Sequence, residues 1–400
     1  MKISLAIDNC FAKKRWTRPA EWMPIVREFG LQYVEASADT EIDPLYSTPA
    51  FLECWLREVR RCGEETGIRV VNLYSGHGTY STLGLGHYDA GVRRHLADEW
   101  VKPVLATAGA LGAGLGFYAH AFDEHTLNDP GRYARGLDSL MEELRLIVAA
   151  AADAGVASLG IEQMYAPHQV PWTLTGTDDF LRRANRDAKG LPVYLTLDTG
   201  HMSLQRRFLP PSPEQLAELG TAVSRGQSTP VYFGTRTVYE ALCQAVRRGA
   251  CGAGLTAAAT ELAGRFAYQF SAPEDAVPVN WLDRFGAFAP IIHLQQTDGH
   301  SSSHQSFTAR TEKAGIIHAP DVLRALARSV RQAVPPGFPP RVEHVYLTLE
   351  PFLPTACNSR LFLDEIAESA GYWRRYVPVD NMDLAEAVDR LADSEDPEHE

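Results

Sequence analysis

Cysteine is sparse and unpaired in this 400-residue chain: Cys10, Cys54, Cys62, Cys243, Cys251 and Cys357 include no C-x-x-C pair. That spacing excludes a zinc knuckle and gives no disulfide framework, so a reducing, cytoplasmic setting is expected. No apolar run approaches the roughly 18 residues that span a bilayer. The opening MKISLAIDNC lacks an apolar stretch followed by a small-residue cleavage site, so neither a membrane span nor export is expected. Basic charge is also short, with 38 Lys and Arg against 50 Asp and Glu and a formal net charge of -12. Such a balance offers no field for nucleic acid. Nine of the acids fall in Asp380–Glu400 against Arg390 alone, so residues 376–400 read as an acidic, solvated C-terminal tail.

What the chain does have is apolar residues, 45% of the total, enough for a large core. They gather into eight strand-like runs at 2–7, 31–36, 69–75, 113–119, 158–163, 192–198, 290–296 and 345–350. Helical periodicity lies between most of them. Leu140, Leu144, Ile147, Val148 and Ala151 share one face before a Gly155 stop, and Val322, Leu323 and Leu326 follow Pro320 in the same way. Eight strands alternating with helices predict a parallel (β/α)8 barrel over residues 1–375, with chemistry on the loops after the strands. About 90 residues separate the sixth and seventh strands, far more than one helix needs. This insertion, about 204–285, should rise over the catalytic face, as a lid, a surface for self-association, or a passive elaboration.

Four of the runs end in metal-ligand types: Glu162 in SLGIEQM, Asp198 in PVYLTLDTGH, His293 in PIIHLQQTD and Glu350 in VYLTLEPF. A carboxylate or imidazole that ends a strand buried on both faces must leave the core at that end. Three carboxylates and one imidazole converging there would bind a divalent cation. Mixed oxygen and nitrogen ligation suits Mn2+ best, or Co2+, with Mg2+ and Zn2+ as alternatives.

These residues, in this order, resemble the sugar phosphate isomerase/epimerase family, whose members have the xylose-isomerase-like barrel and include ketose 3-epimerases. The likeness covers most of residues 1–375. It rests on a Glu ending strand five (Glu162), Asp-x-x-His after strand six (Asp198, His201), a His on strand seven (His293) and a Glu before Pro-Phe on strand eight (Glu350). The resemblance implies that Glu162 and Glu350 are both metal ligands and the acid/base pair, and that His201 contacts substrate oxygens. The implied reaction is proton abstraction alpha to a carbonyl, with the enediolate stabilised by a Lewis-acidic metal. Return of the proton to the other face of the same carbon gives epimerisation, and return to the neighbouring carbon gives aldose-ketose interconversion.

The family pattern places an arginine several residues after the strand-seven histidine, but here HLQQTDGHSSSHQSFTAR has none before Arg310. Gln295, Asp298, His300 or His304 could take that contact, and Gln295 or Asp298 could instead enlarge the metal shell. In the first loop Lys13, Lys14, Arg15 and Arg18 surround Trp16. Such a cluster suits a substrate phosphate, with the indole as a wall for the sugar. Glu35, His77, Tyr80 and His120 follow strands two to four and line the expected pocket. The expected partner is thus a small sugar or sugar phosphate. Alternatives on the same barrel are a dehydratase, a C-glycoside-cleaving lyase, an endonuclease-like metallohydrolase or a non-catalytic sugar-binding protein.

Overall fold

The computed structural model describes residues 1–75, 82–118, 120–186, 190–352 and 354–395. Eight strands, β1 (Lys2–Asp8), β2 (Tyr33–Ser37), β3 (Arg69–Ser75), β4 (Gly114–Phe117), β5 (Leu159–Glu162), β6 (Val193–Asp198), β7 (Ile291–Leu294) and β8 (His344–Leu349), pair in parallel in sequence order. β1 also pairs with β2, which closes the sheet into a barrel. Parallel strands need crossovers, and helices supply them: Pro19–Glu28, Pro49–Thr66, Lys102–Leu111, Pro130–Ala154, Leu174–Asn185, Pro278–Phe285 and Ala319–Arg331. Ser359–Arg374 follows β8. Local chemistry fixes the helix ends. Asp129 accepts the backbone N–H of Arg132 at the start of Pro130–Ala154, and Gly155, at φ 70°, stops it in the left-handed conformation. Leu140, Leu144, Ile147, Val148 and Ala151 are all buried, as are Val322, Leu323 and Leu326.

Between β6 and β7 the insertion builds three helices, Pro213–Ser224, Arg236–Arg247 and Gly252–Arg265. They enclose a second hydrophobic core that includes Leu216, Leu219, Phe233, Leu242, Leu255 and Phe270. The acidic end departs from the expected solvated tail. Met382–Asp383 forms β9, antiparallel to β1, and Leu384–Glu395 is a helix whose Leu384, Ala387 and Leu391 are buried. Apolar residues at helical spacing outweigh the charges among them, of which Glu386 and Asp389 are exposed. No described helix is long and apolar enough to cross a membrane.

Outside the barrel lining, Glu41 is a half-buried acid whose Oε2 accepts the indole N–H groups of Trp55 (2.8 Å) and Trp22 (3.2 Å). Burial pushes its pKa up from 4.5 to about 7, although the indoles pull the other way. Between those two values the folded chain holds a proton that the unfolded chain has released, so stability falls as pH rises through that window. In Glu41→Gln this loss should vanish. The variant's urea midpoint should gain on the parent's from pH 4.5 to 7, and a pH-independent difference would rule out the carboxyl as its source.

Candidate metal centre

Barrel register decides which polar side chains meet. Asp198 is the register partner of His293, Glu35 that of both Asp8 and Asn72, and Glu162 that of Thr196. Side chains of register partners in parallel strands point to the same face. Thus Glu162, Asp198, His293 and Glu350 converge at the C-terminal mouth, all essentially buried. His293 Nδ1 lies 3.7 Å from Glu162 Oε1 and 3.5 Å from Glu350 Oε1. Potential ligand atoms of Glu162, Asp198 and His293 lie within 4.8 Å of one another, as do those of Asp198, His304 and Glu350.

Three of the four candidate ligands are held by a neighbour. His293 Nε2 donates to Glu35 Oε2 (2.8 Å), so Nδ1 is the nitrogen that faces the cluster. Glu35 is fixed in turn by Asn72 Nδ2, which donates to its Oε1 (2.6 Å). Tyr74 OH donates to Glu162 Oε2 (2.9 Å), and the ring stands edge-on to His293. Asp198 Oδ1 accepts the backbone N–H groups of Gly200 (2.6 Å) and His201 (3.2 Å). Gln295 Nε2 donates to both its oxygens (2.8 and 2.9 Å). Only glycine fits at position 200, because a Cβ there would stand 2.1 Å from the Gln295 side chain.

The charge balance of the centre is strained. Burial opposes a charged His293, yet Glu350, Glu35 and Glu162 hold its pKa well above the usual imidazole value. Burial raises Glu350 well above a normal carboxylate, an effect His293 opposes. Asp8, at the end of β1, is raised to about 7 by burial and then by Glu35. Asp198 goes the other way. Burial would raise it, but His201, His304 and His293 together hold it below its usual value.

A divalent cation fits this donor set. Glu162 Oε1, His293 Nδ1 and both Glu350 carboxylate oxygens are buried without a hydrogen bond. A polar atom in that state costs on the order of 1–3 kcal/mol, and ligation would satisfy all four atoms at once. Oxygen and imidazole donors in this mixture are those of borderline first-row divalent ions.

The other expected residues are placed as follows. His201 Nδ1 donates to the Gln163 carbonyl (2.9 Å), so Nε2, 3.6 Å from Asp198 Oδ2, faces the cluster. Gln295 sits at the centre, but its amide nitrogen serves Asp198 and its oxygen accepts the backbone N–H of His304 (2.8 Å) and the Ser302 hydroxyl. Asp298 is exposed and accepts the backbone N–H of His300 (2.8 Å), so the structure does not bring it to the cluster. Arg15 donates from Nε to Ser359 Oγ (2.7 Å) and from Nη2 to the carbonyls of Thr355 (3.0 Å) and Cys357 (3.1 Å), tying down the loop after β8. Arg18 pairs with Glu58. Trp16 is half-buried and packs beside Phe11. Lys13, Lys14 and Arg15 line a recess of about 190 Å3 with Cys10, Phe352, Pro354 and Thr355, and Trp16 is not among its walls. His120 is buried against the Val170 carbonyl. His77 and Tyr80 lie outside the described residues.

Two of the larger cavities lie away from this mouth. One, about 730 Å3, is lined by residues around the strand starts, among them Arg69, Tyr194, Ile291 and His344. The other, about 600 Å3, runs between the helix Leu174–Asn185 and the insertion. In (β/α)8 enzymes chemistry sits at the strand ends, so size does not choose the site here.

Asp8, Tyr74 and Asn72 went unnoticed as site residues in the sequence. Asp8 ends a strand just as Asp198 does, and that signal could have found it. Nothing in the sequence marks Tyr74 or Asn72 off from other strand residues. If Glu35 positions His293, Glu35→Leu should weaken Co2+ or Mn2+ binding about 10- to 100-fold, and Glu35→Gln, which keeps an acceptor, should cost less. Equal affinity in the parent and Glu35→Leu, measured by calorimetry, would refute that role.

The comparisons agree with this architecture. Residues 24–224, half of the chain, match the family model described as xylose isomerase-like TIM barrel. Among solved structures, a candidate xylose isomerase from Rhodospirillum rubrum superposes with a TM-score of 0.66 at 15% identity, over 93% of this chain and 99% of that one. An L-ribulose 3-epimerase gives 0.54 at 14% identity, over 100% and 99%. A D-tagatose 3-epimerase-like protein gives 0.53 at 13%, over 98% and 100%. No curated protein sequence matches the chain. With half of its length on that family model and a closed barrel that superposes along nearly the whole chain, this protein belongs to the xylose isomerase-like TIM barrel family.

Proposed function

We propose that the chain is a divalent-metal-dependent isomerase or epimerase acting on a ketose or ketose phosphate, by proton abstraction alpha to the carbonyl. The observation that carries this reading is the pairing of Glu162 and Glu350. Both are buried, both present oxygens without hydrogen-bond partners, and they flank His293 Nδ1 at 3.7 and 3.5 Å. Glu162 ends β5 and Glu350 follows β8, three strands apart on a ring of eight. Two carboxylates so placed face one another across the mouth, one to remove a proton and one to deliver it. A bound cation would supply Lewis-acid polarisation of the carbonyl.

The chain's own groups set the rest. Tyr74 orients Glu162 through its second oxygen, so one lone-pair set stays directed at the substrate space. His201 Nε2 meets a sugar hydroxyl beside the reacting carbon. Lys13 and Lys14, beside an Arg15 already committed to the β8 loop, meet the far end of the sugar and favour a terminal phosphate. A dehydratase or lyase would share the abstraction step and differ in losing water or an aglycone. The likeness to 3-epimerase structures favours the epimerase, at the level of the fold.

The deciding experiment follows deuterium from D2O into a panel of ketoses and their phosphates by mass spectrometry, with Mn2+ or Mg2+ and an EDTA control. Metal-dependent uptake into one sugar is expected; no uptake with metal shown to be bound would shift the reading to a different reaction. Glu162→Gln and Glu350→Gln should each lower turnover by about 10² to 10⁴ without loss of fold, and near-normal rates in either would remove it from the acid/base pair. Replacing Lys13 by Gln and Lys14 by Asn together should lower kcat/KM for a ketose phosphate roughly tenfold or more and spare the unphosphorylated sugar. Asn is chosen at 14 because that residue has φ 66°. Equal losses on both sugars would exclude a phosphate contact.

A further inference from the structure

We infer that His304 is a fifth protein ligand of the cation, an assignment that rests on the metal-dependent reading above. It lies outside the four strand-end ligands and comes from the loop after β7. That loop is closed by an antiparallel bridge in which Gln296 N–H donates to the Gln305 carbonyl (2.8 Å). His304 stands just before the bridge, at φ 48°, a left-handed conformation that is unusual for a residue with a β-carbon. Three contacts hold it there. Its backbone N–H donates to Gln295 Oε1 (2.8 Å), its ring stacks on Phe352 with centroids 3.6 Å apart and planes at 11°, and its Nδ1 lies 3.2 Å from Glu350 Oε2.

Two facts separate this from a loop histidine in passing contact. Gln295, which fixes the His304 backbone, is the residue whose amide nitrogen donates to both Asp198 oxygens. One side chain therefore sets a strand-end ligand and His304 relative to each other. The spacing of His304 from Glu350 also suits a shared ion. Donors bound to one ion at about 2.1 Å stand roughly 3 Å apart when adjacent and roughly 4.2 Å apart when opposite. The separations here are 3.7 Å for Glu162–His293, 3.5 Å for His293–Glu350 and 3.2 Å for His304–Glu350. By this measure His304 stands as well as His293 does. Asp198 stands within ligand range of Glu162 and His293 in one group and of His304 and Glu350 in another, so it links His304 to the strand-end ligands.

Three carboxylates with two imidazoles make a set that favours Co2+, Mn2+ or Zn2+ over Mg2+. The same geometry gives Phe352 a purpose, since the stack opposes any tilt of the ring that would carry Nδ1 away from Glu350.

The test strips the full-length chain of metal, reloads it with Co2+ or Mn2+, and compares it with His304→Gln and with Phe352→Leu, which keeps the imidazole and loses the stack. Co2+ affinity is read by chelator competition, and imidazole nitrogens are counted by pulsed electron paramagnetic resonance of the Mn2+ form. Circular dichroism and urea midpoints check that the variants fold. Expected are two imidazole nitrogens in the parent and one in His304→Gln, with affinity for Co2+ lower by on the order of 100-fold and a smaller loss in Phe352→Leu. A single imidazole in the parent, or unchanged affinity in a folded His304→Gln, overturns the assignment and leaves the four-ligand reading standing. Failure of the parent to bind either ion overturns both.

Discussion

Repulsion among carboxylates packed into one barrel mouth is the constraint to which the rest of the site answers. Asp8, Glu35, Glu162, Asp198 and Glu350 are each at most 2% exposed, and isolated charges so far from water are expensive unless paired. Three kinds of compensation operate. Imidazoles supply positive charge, which is why His293 is driven well above its usual pKa and Asp198 held below its own. Neutral donors, namely Asn72, Tyr74, Gln295 and two backbone N–H groups, spread what remains. The oxygens of Glu162 and Glu350 still left without partners are those a divalent cation would take. Without it the burden falls on protonation, and both Asp8 and Glu350 are raised. A site of this composition suits a divalent cation, and the proposed acid/base roles of Glu162 and Glu350 depend on that charge being supplied.

The barrel makes such crowding affordable because it sets positions by register. A closed sheet has no free edge along which to slip, and a one-residue slip would turn every ligand out of the mouth. Asp198 and His293 are locked as register partners, and the turn after β6 is locked to β7 again by Thr199. Its backbone N–H donates to the His293 carbonyl (3.1 Å), and its hydroxyl bonds both ends of Gln295. Precision at the metal centre is thus a property of backbone pairing more than of any one side chain.

How much could be read in the sequence follows from that same rule. A strand buried on both faces is a run of apolar residues, and a polar residue that ends it has few places to go but the mouth. Glu162, Asp198, His293 and Glu350 were legible for that reason. Tyr74 and Asn72 were not, because a polar group on the barrel's inner face carries no local mark until the strands are wound into a ring. Loop residues were harder still. Asp298 and His304 are equivalent in sequence, both polar and both downstream of His293, but a turn sends the first into solvent while Gln295 and Phe352 hold the second beside Glu350. The acidic end misled for a different reason. A count of charges ignores where they stand, and Leu384, Ala387 and Leu391 form a stripe that packs inward while Glu386 and Asp389 stay exposed.

The insertion was expected to rise over the active face, and its anchoring contacts show a different emphasis. Ser271 Oγ donates to the carbonyl of Gln205 (2.6 Å), and Gln205 Nε2 donates to that of Met164 (3.2 Å), two residues past Glu162. Asp275 accepts the backbone N–H of Leu174 at the start of the helix after β5 (2.7 Å). Tyr268 and Gln269 donate to the Leu127 carbonyl (2.6 and 2.7 Å), and Tyr268 stacks on Tyr133. These bonds tie the end of the insertion to the loops after β4, β5 and β6, two of which directly follow Glu162 and Asp198. Three helices with a hydrophobic core of their own are stiff enough to brace those loops. Stiffness matters here because the buried carboxylates of the mouth repel one another, and a backbone bolted from outside resists that push where side-chain hydrogen bonds alone would yield.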